Sequence, residues 1–212
     1  LAALGATAYS SVLDLSTPWG VVGSAINDWG ARPDGPFYKT ANANEVVAYV
    51  TLTDGEIKFR KDSKWDLNYG DNGADGKLDQ NGDNIAVKAG SYKITFNTSA
   101  LTYKIEKFSW GVVGSAYNDW GASPDAKLMY DPYSDQFRAI VTLKDGEMKF
   151  RKNEDWGENL GDNGANGSLE AGGDNIKVSK GNYLITVSFK DNTYSIKKVE
   201  NVWGVVGSAA PN

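Results

Sequence analysis

Along the chain, hydrophobic and polar residues alternate with a period of two in short runs that end in glycine, asparagine or aspartate. The stretch from Val46 to Leu52 is rich in β-branched and aromatic residues, and Asp54-Gly55 behind it is a two-residue hairpin signal. From Glu56 to Lys61 the alternation puts Ile57 and Phe59 on an inward face and Lys58 and Arg60 on an outward one. A later run does the same with Met148 and Phe150 inward, Lys149 and Arg151 outward. Tyr92, Ile94 and Phe96, then Tyr103 and Ile105, predict a second hairpin that turns through Asn97 to Leu101; its later counterpart turns near Lys190-Asp191-Asn192. No stretch carries convincing helical periodicity, and glycine interrupts most candidates.

These runs recur because the chain is a duplication. Trp19-Gly20-Val21-Val22-Gly23-Ser24-Ala25 returns as Trp110 to Ala116, 91 positions on (110 − 19). The same displacement carries Asn27-Asp28-Trp29-Gly30 onto Asn118 to Gly121, Lys58-Phe59-Arg60-Lys61 onto Lys149 to Lys152, and Trp65 onto Trp156. It also carries Gly70 to Ala74 onto Gly161 to Ala165, and Gly82 to Ile85 onto Gly173 to Ile176. The expected organisation is a repeat over 18–108, a second over 109–201, and at 202–212 the opening of a third, marked by Trp203-Gly204-Val205-Val206-Gly207-Ser208-Ala209. Residues 1–17 match neither repeat and read as the last strand of an upstream domain, so the chain is expected to be an excerpt of a longer protein. About seven short strands in some 90 residues predict an all-β fold of tandem immunoglobulin-like antiparallel β-sandwich domains. The join near Phe108-Ser109 has no flexible-linker signature, which predicts closely tethered repeats.

Composition narrows the chemistry. The 212 residues contain no histidine and no cysteine, which removes disulfides, Cys/His zinc sites, Ser-His-Asp triads and histidine acid–base catalysis. A net charge of −5 argues against binding a nucleic-acid backbone. No apolar run approaches the roughly 20 residues that cross a bilayer.

Seven tryptophans invite sorting. Trp19, Trp110 and Trp203 open strand motifs and are expected to pack structurally. Trp29 and Trp120 lie in a polar, glycine-bearing loop, and Trp65 and Trp156 in a second polar loop after the Lys-Phe-Arg strand. Either these four plug the end of the sandwich, or each pair forms exposed aromatic platforms beside Lys58 and Arg60, or Lys149 and Arg151. The second arrangement suits a sugar: an indole covers the C–H face of a pyranose while Lys, Arg and Asn hydrogen-bond its hydroxyls. Asn68 and Asn159 are candidate hydroxyl partners, with a turn-stabilising role as the alternative.

Taken in order and spacing, these motifs resemble the starch-binding domains of the SusE/SusF family, outer-membrane lipoproteins of Bacteroidetes. The resemblance covers residues 19–200 and the third opening motif. It implies tandem non-catalytic binding of starch or related α-1,4-glucans, without a cofactor, at the cell surface on a lipid anchor and beside an outer-membrane transporter. Family contacts map onto Trp29, Lys58 and Trp65, and onto Trp120, Lys149 and Trp156, with Arg60 and Arg151 as weaker correspondences. The fragment alone is expected to be monomeric. Family members that serve other glycans leave the sugar open, and a spacer or protein-contact module is the remaining alternative.

Other chemistry fits less well. Asp71-Asn72-Gly73-Ala74-Asp75-Gly76 has some calcium-loop character, yet glycine holds the third ligand position and the terminal Glu is missing. Glycoside hydrolysis needs a carboxylate pair, and the only acids near the platforms, Glu56 and Glu147, lack a partner shared by both repeats: Asp66 falls on Gly157. The expectation is therefore a binding protein, with neither metal nor catalytic residues.

Overall fold

The computed structural model describes residues 12–200; most of the 1–17 segment, and the whole of the Trp203 motif, lie outside them. The first repeat comprises β1 (Ser16–Val22), β2 (Gly35–Lys39), β3 (Glu45–Leu52), β4 (Gly55–Lys61), β5 (Asn68–Gly70), β6 (Asp79–Gln80), β7 (Ile85–Val87), β8 (Gly90–Asn97) and β9 (Thr102–Lys107). The second comprises β10 (Trp110–Val113), β11 (Ala126–Lys127), β12 (Met129–Asp131), β13 (Gln136–Leu143), β14 (Gly146–Lys152), β15 (Asp155–Gly161), β16 (Glu170–Ala171), β17 (Ile176–Val178), β18 (Gly181–Ser188) and β19 (Thr193–Lys198). The hairpins predicted at Asn97–Leu101 and near Lys190–Asn192 form, as β8–β9 and β18–β19, and every pairing is antiparallel. The hairpin predicted at Asp54-Gly55 does not form: β3 pairs with β2 and β8 while β4 pairs with β1, β5 and β7, so that turn carries the chain from one layer to the other. There are more strands than the expected seven per repeat, because two- and three-residue segments of the glycine loops also pair.

Each repeat is a β-sandwich. One layer holds β1, β4, β5 and β6; the other holds β3, β8 and β9. In the first repeat β2 pairs with both β1 and β3 and joins the layers into one path. In the second repeat the corresponding segment divides at Leu128 into β11, on β10, and β12, on β13. Strands that change layer at a corner do so by a bulge or a break. Between the layers of the first repeat, Phe37, Ile57, Phe59, Ile94 and Phe96 are fully buried, with Phe37, Phe59 and Phe96 edge-on or tilted within 5.7 Å of one another. The second repeat fills the same positions with Leu128, Met148, Phe150, Ile185 and Val187. Trp19 packs edge-on to Phe96 at 5.0 Å, and Trp110 is 7% exposed, so both strand tryptophans are structural. The glycine after Trp-Gly-Val-Val has a steric reason: a Cβ on Gly23 would lie 2.0 Å from the Glu56 carbonyl oxygen, and one on Gly114 would lie 2.1 Å from that of Glu147.

The repeats pack through aromatics. Tyr49, on the outer face of β3, lies 5.1 Å from Phe108, 4.8 Å from Tyr130 and 5.0 Å from Phe137, ring centre to ring centre. Burial pushes the Tyr49 phenol up to about 12. Tyr38 stacks on Tyr130 at 5.4 Å, and the Lys127 ammonium reaches Thr51 and Ser91 of the first repeat.

Candidate functional site

The loop after β1 opens on a tight turn. Asn27 Oδ1 accepts from Gly23 N at 3.1 Å, and its Nδ2 donates to the Arg32 carbonyl at 3.0 Å and to Asp34 Oδ1 at 2.8 Å. Buried asparagine thus ties both ends of the loop together. The chain passes through left-handed backbone at Asp28 (φ 54°) and Trp29 (φ 58°), an uncommon conformation for non-glycine residues that the anchored loop imposes. Gly30 continues it at φ 107°, where a Cβ would approach Arg60 Nη2 at 3.0 Å. The second repeat reproduces this: Asn118 bonds Gly114, Ser123 and Asp125, and φ is 49° at Asp119 and 62° at Trp120.

This turn brings Trp29 against Trp65, which lies in the connection from β4 to β5. The ring centroids are 6.0 Å apart and the planes meet at 41°. For Trp120 and Trp156 the values are 5.9 Å and 43°. Trp65 is 44% and Trp156 43% exposed, while Trp29 and Trp120 are half-buried. Each pair is therefore an angled, open indole floor.

Arg60 underlies that floor. Its guanidinium carbon is 4.7 Å from the Trp65 ring centre, while Nε and Nη2 donate to Asp34 Oδ2 and Oδ1 at 2.7 and 2.8 Å. Arg151 repeats the arrangement, 4.9 Å from Trp156 and bonded to Asp125 at 2.6 and 2.9 Å. Hydrogen bonding to the partner carboxylate, against the opposing effect of burial, raises the pKa of both guanidinium groups. The outward face predicted for Arg60 and Arg151 is corrected here: they are 6% and 7% exposed, covered by the loop that carries Asp34 or Asp125. They are buried supports with two donors already committed. Asp34 and Asp125, which alternation does not single out, are the residues that sequence reasoning missed; their recurrence 91 positions apart, just before the stretch where the repeats diverge, was the available signal.

Lys58 shares the covered face and is 9% exposed, yet its ammonium lies 6.0 Å from the Trp65 ring centre. Burial lowers the pKa of Lys58 and, in the second repeat, of half-buried Lys149, with Asp83 and Asp174 respectively acting in the opposite sense. Asn68 turns inward instead of towards a ligand: its Nδ2 donates to the Trp65 carbonyl at 2.9 Å and to Asn81 Oδ1 at 3.0 Å. Asn159 holds the Trp156 carbonyl at 3.0 Å in the same way. These asparagines fasten the platform loops, the turn-stabilising alternative of the sequence reading.

The rims differ. The platform loop contains Ser63, Lys64 and Leu67 in the first repeat but Glu154, Asp155 and Glu158 in the second, where Trp156 sits on β15 itself. Beside Trp120, a shallow depression of about 450 Å³ is lined by Gly121, Pro124, Arg151 and Glu154. A cavity of about 520 Å³ at the junction of the repeats, lined by Lys107, Ser109, Lys127 and Asn153, includes only the buried Trp110 among the tryptophans.

The acidic glycine loops are internally satisfied. Asp71 accepts from Asp75 N, Gly76 N and the Tyr103 hydroxyl, and Asp162 does the same with Asn166, Gly167 and Tyr194. Among the described residues no three metal-ligating side chains cluster, and no helix is long and apolar enough to cross a membrane.

None of the curated proteins compared matches the chain. Among solved structures, SusF from Bacteroides thetaiotaomicron is similar at 19% identity and a TM-score of 0.36, over 88% of this chain and 50% of that one. This chain thus spans half the length of that protein. The family described as SusF/SusE starch specific CBMs matches twice, over residues 19–104 and 110–195. The chain belongs to that family of non-catalytic carbohydrate-binding modules and carries two copies of its domain.

Proposed function

We propose that each repeat binds a short stretch of starch-type α-glucan on its tilted tryptophan pair, without catalysing any reaction on it. The observation that carries this reading is the pair itself, two partly exposed indoles about 6 Å apart and some 40° from coplanar, built identically twice. Two rings at that angle suit neighbouring pyranoses of a curved chain better than a flat one. Trp29 and Trp65, or Trp120 and Trp156, stack on the sugars; Lys58 or Lys149 meets hydroxyls at the edge; Arg60 and Arg151 act through the indoles they support. A protein interface favours apolar surroundings, whereas these indoles sit among Asn, Asp and Lys. Family membership supports the sugar and supports display on an outer membrane through a lipid anchor, beside a transporter.

Single sites of this kind are weak, because hydroxyls give up water before they pair with protein. Two sites on one polymer raise avidity through effective concentration, by about 10²–10⁴ where both engage. Affinity electrophoresis tests the reading: amylopectin and pullulan retard the chain, while dextran, laminarin, levan and xylan do not. Trp29→Ala with Trp120→Ala keeps the fold by circular dichroism and abolishes retardation. Retardation by another glycan alone would reassign the sugar, and no retardation in any gel would favour the spacer reading.

A further inference from the structure

The face by which the first repeat receives the second has a bare counterpart on the second repeat. Besides Thr51 and Ser91, which accept from Lys127, three residues of the first repeat make that contact on its outer sheet face: Tyr38 against Tyr130, Tyr49 against Phe108, Tyr130 and Phe137, and Lys93, whose ammonium lies 5.8 Å from the Phe108 ring centre. Moved 91 positions on, these become Met129, Ile140 and Leu184. They share one face of the sheet, since Ile140 is the direct cross-strand partner of Leu184 and Met129 is paired with Arg138, two residues before Ile140. All three are apolar, even where the first repeat has lysine. Met129 is 58% and Ile140 63% exposed, among the most exposed large hydrophobic side chains described, and Leu184 is half-buried.

We infer that this Met129–Ile140–Leu184 face is the seat of a third repeat, the one whose opening motif runs from Trp203 to Ala209. Two observations select this occupant. The face is the equivalent, position for position, of an interface already present in the molecule. The tether is also short: four residues separate the end of β19 at Lys198 from Trp203, against two between Lys107 and Trp110. The five Cα steps from Lys198 to Trp203 reach about 18 Å at most, which confines a domain starting at Trp203 to this end of the second repeat. Exposed apolar faces of this kind mark contacts. Ile140 takes the place of Tyr49, so the third repeat meets a surface that lacks the aromatic ring of the first.

The two methionines supply an internal probe, because Met148 is fully buried while Met129 is on the proposed seat. Peroxide oxidation followed by peptide mapping compares this 212-residue chain with a longer chain that carries a complete third repeat. In the 212-residue chain Met129 oxidises rapidly and Met148 slowly, at rates independent of protein concentration. In the longer chain Met129 slows by about fivefold or more, and Met148 is unchanged. Ile140→Glu in the longer chain restores fast Met129 oxidation; the residue is exposed, so the variant folds. Equal Met129 rates in the two chains, or protection that survives Ile140→Glu, overturns the inference. Protection of Met129 in the 212-residue chain that grows with concentration would assign the face to a second copy of the chain instead, and also overturns it.

Discussion

The two repeats keep one part of their architecture nearly unchanged and let two others drift. Their tryptophan pairs agree within 0.1 Å and 2°, and their buried Asp–Arg pairs differ by no more than 0.1 Å in each hydrogen bond. The rim of the site differs, with Ser63 and Lys64 in one repeat against Glu154 and Asp155 in the other. So does the outer sheet face, where Tyr49 is replaced by Ile140. The conserved part rests on a buried ion pair, Arg60 with Asp34 or Arg151 with Asp125, in which changing one member strands the other. The rim and face carry groups that water can satisfy, and substitutions there cost little. Under the proposed function, similar platforms with different rims predict two sites of the same kind but unequal strength.

The most severe way to break the equivalence is to remove a carboxylate beneath a platform. Asp34→Ala leaves Arg60 buried and unpaired, and Asp125→Ala does the same to Arg151; each is expected to cost its own repeat about 3–5 kcal/mol. Urea unfolding followed by amide NMR shows which repeat is lost. Equal costs confirm that the two supports are equivalent, and a cost near zero in either repeat refutes a structural role for that ion pair.

A smaller effect tests the glycine loops. Burial opposes the charge on Asp71, yet hydrogen bonds from Tyr103, Gly76 and Asp75 outweigh it and hold the carboxyl below its ordinary value of 3.8. Because the folded value is the lower one, this site contributes stability above the unfolded value, and that stability is lost as pH falls through the folded one. Tyr103→Phe moves the folded value up towards the unfolded one and costs about 1 kcal/mol at neutral pH. The deficit relative to the parent shrinks as the pH is lowered through the carboxylate range. Tyr194→Phe, opposite Asp162, follows the same course in the second repeat. Urea midpoints at pH 7 and pH 3 check both; a deficit that grows on acidification contradicts the sign.

The smallest effect sharpens the comparison of rims. Glu154→Ser, Asp155→Lys and Glu158→Leu together give the second site the rim residues of the first. In a Trp29→Ala background, where only the second site reports, maltooligosaccharide affinity measured by calorimetry rises by about two- to threefold. Unchanged affinity would place the difference between the sites in the diverging stretch after Asp34 and Asp125.

Much of this was legible in the chain. Alternation locates β4, β8, β9 and their counterparts with the correct residues inward, and the 91-residue displacement defines the repeats. The order of tryptophans, lysine and arginine marks the candidate site. The roles of Arg60 and Asn68 were not legible. Period-two patterning tells which side of a strand a residue takes but not what covers that side. Asp34 is 26 residues from Arg60, and Asn81 is 13 from Asn68.

The amino-acid sequence alone therefore determined the duplication, the all-β fold, the exclusion of histidine and cysteine chemistry, and the four loop tryptophans as the candidate platform. Each depends on local spacing or on composition, which the linear order records. Tertiary structure decided that the arginines are buried supports, that the asparagines clamp the platform loops, and that Tyr49 of one repeat completes the core of the next. Those outcomes depend on which surfaces meet when distant segments pack, and an apolar or charged residue on a strand face has no knowledge of its cover until the fold supplies one.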